Sequence, residues 1–146
     1  MKNRTQRTQE IFDNGYNCAQ AVFGAFCEEL GMDFETGMRL MSSFGGGIGG
    51  LHEVCGAVSG MAAAAGLAFA SSAPSDTSAK ERHYELIREM AGKFKDRNGF
   101  LICRELLAPL GENPEPEERH RHCLSFVKCA AEILENELRS AEKDDA

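Results

Sequence analysis

A glycine-rich loop followed by a long uncharged run constrains the fold of this chain more than any other feature. Residues 45–50 read GGGIGG, and no charged side chain occurs between Val54 and Ser75. Glycine carries no side chain and accepts positive φ, so another group can approach the backbone of this loop closely. We therefore expect a tight loop that leads into a buried helix.

The run after the loop, residues 55–65, is rich in alanine and predicts an α-helix. Gly56, Gly60 and Ala64 recur every four residues and give one helix face that is small enough for close packing. Cys55 is expected in the first turn, where unpaired N–H groups and the positive end of the helix dipole stabilise a thiolate. The competing interpretation is an inert core cysteine, because free cysteine is among the most buried residue types.

Helical spacing dominates the rest of the chain, and no stretch shows the alternation that is typical of a strand. The expected helices are, in order, Thr5–Asp13, residues 17–30 with Asn17 as N-cap, Phe34–Ser43 after Asp33 as N-cap, the alanine-rich run, Thr77–Arg97, a short segment within residues 100–107, and Glu117–Leu138.

The buried stripe of the long fifth helix is expected to comprise Tyr84, Ile87, Met90 and Phe94. The last four residues, Lys143–Ala146, are expected to fray. The sequence therefore predicts an all-α fold, formed by one helical domain of residues 1–146. We expect a compact bundle of five or six helices with up-and-down connections.

Charge and composition argue against several classes of function. The formal net charge of −7 disfavours binding to nucleic acid or to an anionic membrane surface. The uncharged run is rich in Ala, Gly and Ser rather than Leu and Ile, so we expect a buried helix and not a membrane span. The basic N-terminus is followed by no apolar segment of a signal peptide, which favours the cytoplasm.

Six cysteines in an expected cytoplasmic protein are more often ligands, redox groups or core residues than structural disulfides. No CxxC or CxxCH motif occurs, which argues against a zinc ribbon, a thioredoxin-type site and covalently attached haem. Gly45, Gly47 and Gly50 satisfy GxGxxG by letter. However, the strand before the loop and the acidic residue after it are missing, so no nucleotide is expected.

Four cysteines occupy comparable positions in the predicted helices. Cys18 and Cys55 lie in first turns, Cys103 begins a short helix, and Cys123 lies on the inward stripe of the last helix. Four thiolates are the ligand number of zinc and of iron–sulfur clusters, if the bundle brings them together. Cys27 lies nine positions after Cys18, on the opposite helix face at about 100° per residue, and is expected in the core.

The histidines near these cysteines are also candidates. His52 lies three residues before Cys55, while His120 and His122 flank Arg121 just before Cys123. They could transfer protons or bind a metal, but the charged sequence around His120 and His122 is more typical of solvated surface. His83 is likewise expected on the surface.

The cysteines lie within short blocks whose order is distinctive. The blocks are Tyr16–Val22 (YNCAQAV), Phe44–Gly49 (FGGGIG), Val54–Gly60 (VCGAVSG), Cys103–Leu107 (CRELL), and Cys123 with residues 126–134. Over residues 8–135 the chain resembles a family of redox-active proteins named for the cysteine pattern C…GCAxxG…C…C. One departure is Val54, which stands where the family name has glycine.

The resemblance implies functional roles for Cys18, Cys55, Cys103 and Cys123, and none for Cys27 and Cys129. It also implies a helical protein of the kind found in anaerobic bacteria and archaea. A similar domain accompanies haem segments in some cytochromes, where an iron–sulfur cluster has been proposed. Because CxxCH is missing here, the resemblance does not imply haem.

Three hypotheses remain open. In the first, the four cysteines bind an iron–sulfur cluster for electron transfer, [2Fe–2S] in particular, beside Gly45, Gly46, Gly47, Gly49 and Gly56. In the second, two of the same cysteines cycle between thiols and a disulfide without metal. In the third, the chain is a zinc-binding or purely structural helical interaction module. A redox partner protein and a homodimer are both compatible with the sequence, which identifies no substrate or enzymatic reaction.

Overall fold

The computed structural model of the chain describes residues 3–145, and these form seven α-helices. The helices are α1 (Arg4–Asp13), α2 (Cys18–Gly24), α3 (Phe34–Met41), α4 (Gly56–Phe69), α5 (Thr77–Asn98), α6 (Cys103–Leu107) and α7 (Pro116–Asp145). This part of the chain contains no β-strand, only an isolated antiparallel bridge between Val54 and Ile102. The predicted all-α fold is confirmed, with seven helices in place of five or six.

Side-chain caps fix where several helices begin. The side chain of Asn17 accepts a hydrogen bond from the N–H of Gln20, and the side chain of Gln20 accepts one from the N–H of Asn17, both at 2.9 Å. Such a capping box satisfies two N–H groups that a helix start would otherwise leave unpaired. Asp33 caps α3 as predicted, and the exact start of α2 at Cys18 follows from the Asn17 cap.

The second helix is shorter than the predicted segment of residues 17–30. Beyond Gly24 the chain continues as turns, and the N–H of Phe26 pairs with the carbonyl of Phe23, three residues back, at 3.1 Å. Glycine is a poor helix former, and a Cβ on Gly24 would lie 2.7 Å from the end of the Met38 side chain. The helix therefore ends where α3 approaches it. Cys27 is nevertheless fully buried, as predicted.

The last helix is longer than predicted. It begins at Pro116, a residue suited to the first helical turn because its missing N–H would be unpaired there anyway. Residues 143–145 are helical, so the predicted fraying of Lys143–Ala146 is wrong for these three residues, and Ala146 lies outside the described residues.

The predicted small-residue face of α4 packs directly on α2. A Cβ added to Gly60 would lie 2.6 Å from the carbonyl oxygen of Ala19, and one added to Gly56 would lie 3.1 Å from the N–H nitrogen of Ala19. Both helix backbones approach each other at these glycines. This contact brings the start of α2, with Cys18, next to the start of α4, with Cys55.

Large apolar side chains fill the space between the helices. The largest fully buried hydrophobic residues are Phe23, Phe26, Phe94, Ile11, Met41, Met61, Met90, Leu134, Val22 and Val127. Met90 and Phe94 confirm the predicted inner stripe of α5, whereas Tyr84 is 48% exposed and does not belong to it. None of the helices within residues 3–145 combines the length and apolar character that a bilayer crossing requires.

A buried ion pair ties α1 to α7. The guanidinium of Arg4 donates to the carboxylate of Glu135 at 2.6 Å and also to Glu29, and only 7% of Arg4 and of Glu135 is exposed. A buried charge is tolerated when its partners satisfy it. The pair therefore fixes the first helix against the C-terminal half of the last one.

Candidate thiol cavity

A cavity of about 280 Å³ lies where the starts of α2, α4 and α6 meet the first turns of α7. Its walls contain all four cysteines that the sequence singles out, namely Cys18, Cys55, Cys103 and Cys123. The other lining residues are Phe12, Asn17, Gly46, Gly47, Gly56, Leu106, Leu107, Pro116, Arg119, His120 and Phe126. Thiols that are far apart in sequence thus share one cavity, whereas Cys27 and Cys129 do not line it.

Backbone pairing holds Cys55 and Cys103 side by side. The N–H of Cys55 donates to the carbonyl of Leu101 at 2.9 Å, and the N–H of Cys103 donates to the carbonyl of Glu53 at 2.6 Å. These bonds flank the antiparallel bridge between Val54 and Ile102. Two short extended segments, each followed by a helix, therefore place both cysteines in the same wall of the cavity.

The glycine loop closes another side of the cavity. Residues 46–50 all have positive φ, including Ile48 at 67°, so five successive residues form a left-handed turn. Gly47 cannot carry a side chain, because a Cβ would lie 2.6 Å from the backbone nitrogen of Glu53. The N–H groups of Gly46 and Gly47 donate no hydrogen bond to any other part of residues 3–145.

The glycines that the sequence assigns to a cofactor fall into two groups. Gly46, Gly47 and Gly56 line the cavity. Gly45 lies instead against Asn17, where a Cβ would be 2.6 Å from the side-chain nitrogen, and the N–H of Gly49 donates to Ser43. Gly45 and Gly49 therefore shape the loop without lining the cavity.

The thiols of Cys18 and Cys123 lie in the wall of the same cavity and shift the pKa of each other. The interaction with Cys18 is the main cause that lowers the pKa of Cys123 to about 7, and the positive charge of Arg119 adds to it against the opposing effect of burial. The same interaction, followed by burial, raises the pKa of Cys18 well above its ordinary value. Cys123 is therefore the more acidic thiol of the two.

The other thiols behave differently from the prediction that helix starts stabilise thiolates. Cys55 is the N-cap of α4 and not a first-turn residue, and burial raises its pKa to about 12 although the N–H groups of Ala57 and Val58 act in the opposite direction. Burial also raises the pKa of Cys103. At Cys55 desolvation outweighs the N–H groups of the helix start, so the predicted thiolate there is wrong, and the thiol with a lowered pKa is Cys123.

The rings of His120 and His122 both make specific contacts. The expected surface position holds for His120, whose side chain is 39% exposed, whereas His122 is half-buried. His120 stacks on Phe12 with ring centroids 4.2 Å apart and planes 9° from parallel, and its Nε2 lies 2.8 Å from Asp13 Oδ1. The Nε2 of His122 lies 2.7 Å from the carbonyl oxygen of Leu106. Only His120 among the histidines lines the cavity.

The remaining two histidines lie elsewhere. His52 has a positive φ of 61°, and its N–H donates to the carbonyl of Gly46 at 2.9 Å, so its backbone completes the glycine loop. His83, expected on the surface, is half-buried on α5. Neither ring lines the thiol cavity.

Within residues 3–145 no group of three or more His, Cys, Asp or Glu side chains is arranged to hold a single metal ion. A tetrahedral zinc ion with Zn–S bonds of about 2.3 Å needs its sulfurs about 3.8 Å apart. The four thiols line one cavity of about 280 Å³.

Arg119 is a charged cavity residue that the sequence analysis did not name, whereas His120 was considered there as a candidate. They precede Cys123 by four and three residues, and these spacings place side chains on the same face of a helix. Arg119 is exposed and His120 is half-buried, so both line the cavity where it is open to solvent. The spacing and the charged surroundings are visible in the sequence, but the cavity beside them is formed by tertiary packing.

Comparisons with known proteins agree with the cysteine pattern. A family model described as "Putative redox-active protein (C_GCAxxG_C_C)" matches residues 16–137. An uncharacterized protein of Archaeoglobus fulgidus is 31% identical over 146 residues, and the alignment covers 92% of this chain and 92% of that protein. No solved structure gives a significant match.

Proposed function

Because this chain belongs to the C_GCAxxG_C_C family of redox-active proteins, we propose that it carries electrons as a reversible disulfide between Cys18 and Cys123. The observation that carries the proposal is that both thiols lie in the wall of one cavity and shift the pKa of each other. One cavity thus contains a nucleophile and a resolving thiol. Disulfide formation then needs a two-electron acceptor and a closer approach of the sulfurs, to about 2.05 Å.

The proposed cycle uses a disulfide as the electron acceptor. The Cys123 thiolate attacks one sulfur of the disulfide, which forms a mixed disulfide and releases the first thiolate of the acceptor. Cys18 then loses its proton and attacks the Cys123 sulfur, which releases the second thiolate and leaves the Cys18–Cys123 disulfide. Two electrons pass from the protein thiols to the acceptor, and a dithiol reductant reverses the steps.

The roles of the thiols differ because their acidity differs. Cys123 attacks first, since its pKa is lowered to about 7 whereas that of Cys18 is raised. Cys55 and Cys103 stay protonated at neutral pH, because burial raises the pKa of both. Their proposed role in this cycle is structural: as neutral thiols they form part of the cavity wall around Cys18 and Cys123.

Mass spectrometry of the alkylated protein tests the proposal. After mild oxidation we expect one disulfide, and peptide mapping should assign it to Cys18 and Cys123. Cys18→Ala and Cys123→Ala should each abolish it, whereas the matched control Cys129→Ala, a buried cysteine outside the cavity, should leave it intact. Oxidised protein with six free thiols, or with a disulfide that excludes Cys123, would contradict the proposal.

A second candidate is the iron–sulfur cluster that the sequence analysis favoured. Its support is that four thiols from separate elements line one cavity of about 280 Å³, next to the unpaired N–H groups of Gly46 and Gly47. Cys18, Cys55, Cys103 and Cys123 would hold the cluster, and N–H groups beside the sulfurs would tune its potential. When bound, such a cluster supplies one-electron transfer.

Anaerobic purification with iron and sulfide analysis separates the two candidates. Cluster binding predicts both elements in stoichiometric amounts, and their loss when any of the four cavity cysteines is replaced by alanine. A protein that takes up no iron on reconstitution but forms the Cys18–Cys123 disulfide supports the dithiol cycle. If neither is found and all four alanine variants keep the stability of the parent protein, the chain is a structural module.

A further inference from the structure

We infer that His120 is the proton-transfer residue of the thiol cavity, and that Asp13 and Phe12 are the positioning residues that hold its ring. This inference rests on the dithiol cycle proposed above and assigns the group that removes the Cys18 proton. His120 lines the same cavity as Cys18 and Cys123 and lies one helical turn before Cys123 on α7.

The ring of His120 is held on two sides. Phe12 stacks on its face, with the centroids 4.2 Å apart, and Asp13 Oδ1 lies 2.8 Å from Nε2. A carboxylate at Nε2 selects the tautomer in which Nε2 carries the hydrogen, so that Nδ1 keeps a free lone pair. The imidazole and the carboxylate thus supply a base and its orienter, with side chains 39% and 48% exposed where the cavity meets solvent. The thiols of Cys18 and Cys123 line the same cavity and supply the nucleophiles.

The cycle needs a base at one step in particular. The Cys123 thiolate attacks without losing a proton, but Cys18 attacks only after its own proton leaves. A neutral thiol is a poor nucleophile, so a base that lines the same cavity accelerates this step. In the proposed step Nδ1 of His120 takes the Cys18 proton, the Cys18 sulfur bonds to the Cys123 sulfur, and the bond from Cys123 to the acceptor sulfur breaks. The imidazolium then returns its proton to the released thiolate or to water.

Stopped-flow kinetics with a nitro-substituted aromatic disulfide separates the two chemical steps, because each released thiolate is coloured. The first release reports attack by Cys123, and the second reports resolution by Cys18. We expect His120→Gln to leave the first release unchanged and to slow the second about a hundredfold, the low end of what general base catalysis contributes. Asp13→Asn should slow only the second release, by about tenfold, because the ring loses its orienting charge.

The control is His83→Gln, which changes a half-buried histidine of α5 outside the cavity and should alter neither release. Equal slowing of both releases in His120→Gln would assign His120 a purely structural role, and no slowing of either would remove it from the reaction. Both outcomes overturn the inference. Failure of the dithiol cycle itself looks different, because the wild-type protein would then release only one thiolate and form no Cys18–Cys123 disulfide.

Discussion

At the scale of single residues, the acidity of Cys123 comes from a neighbouring thiol and not from a helix end. The helix starts at Cys18, Cys55 and Cys103 do not produce acidic thiols. The interaction with Cys123, followed by burial, raises the pKa of Cys18, and burial is the main cause that raises the pKa of Cys55 and Cys103. Cys123 lies in the second turn of α7, where the Cys18 thiol and Arg119 stabilise its thiolate. Contacts made across the fold therefore decide which cysteine reacts.

The lowered pKa of Cys123 predicts a specific pH dependence for the alkylation of this residue. The rate at which iodoacetamide modifies Cys123 should rise with pH through a midpoint of about 7, since its pKa is lowered to that value. Cys18→Ala removes the main cause that lowers this pKa, so the midpoint should move to higher pH. Arg119→Gln should move it in the same direction by a smaller amount. A wild-type midpoint near the ordinary thiol value of about 8.5 would contradict this account.

At the scale of elements, the contact between α2 and α4 positions the cavity. Both helices carry small residues where they meet, and the backbone of α2 fills the space in which Gly60 would carry a side chain. The spacing of Gly56, Gly60 and Ala64 predicts this face from sequence, because a period of four residues is a property of any α-helix. The partner helix is set by tertiary packing, and the spacing alone does not identify it.

Adding one methyl group to this contact should weaken the fold. Gly60→Ala places a Cβ 2.6 Å from the backbone oxygen of Ala19, and overpacking of this kind costs about 1–3 kcal/mol. Gly92→Ala is the matched control, because it lies within α5 with no atom in the way of its Cβ and should raise the free energy of unfolding by about 0.5–1 kcal/mol. Urea unfolding measures both. Equal effects of the same sign would contradict the proposed close contact.

At the scale of the whole molecule, the ends of the described chain are joined by the pair of Arg4 and Glu135. Glu135→Gln should lower the free energy of unfolding by about 3 kcal/mol, because it leaves the Arg4 guanidinium buried with a weaker set of partners. The control Glu132→Gln breaks a pair with Arg97 in which both side chains are about half exposed. It should change the free energy of unfolding by less than about 1 kcal/mol. Similar losses in both variants would contradict the assignment of a buried pair.

Much of this architecture is readable from the sequence, because helix caps, helical spacing and small-residue faces are local properties. The Asn17 and Asp33 caps and the inner stripe of α5 at Met90 and Phe94 are of this kind. The end of α2 at Gly24 is not, since the approach of α3 decides it. The pairing of residues 53–55 with 101–103 joins segments that are far apart in sequence and has no periodic signal.

The candidate site is likewise predictable from the sequence only in part. The cysteine pattern selects four residues that line one cavity, but their roles as redox thiols or cluster ligands stay predictions. The choice of Cys123 as the acidic thiol, and the position of Arg119 and His120 at the cavity, depend on the packing of α1 and α2 against α7. The sequence of one helix face does not show whether a cavity lies beside it.

The left-handed turn of residues 46–50 has a stereochemical consequence. Four of its five residues are glycine, which is achiral, and Ile48 is an L-amino acid held at a φ of 67°. A β-branched L-residue is disfavoured there, by about 1–3 kcal/mol for such strained conformations, whereas its mirror image favours positive φ. A chemically synthesised chain with D-isoleucine at position 48 would therefore suit this loop better than the ribosomal product does.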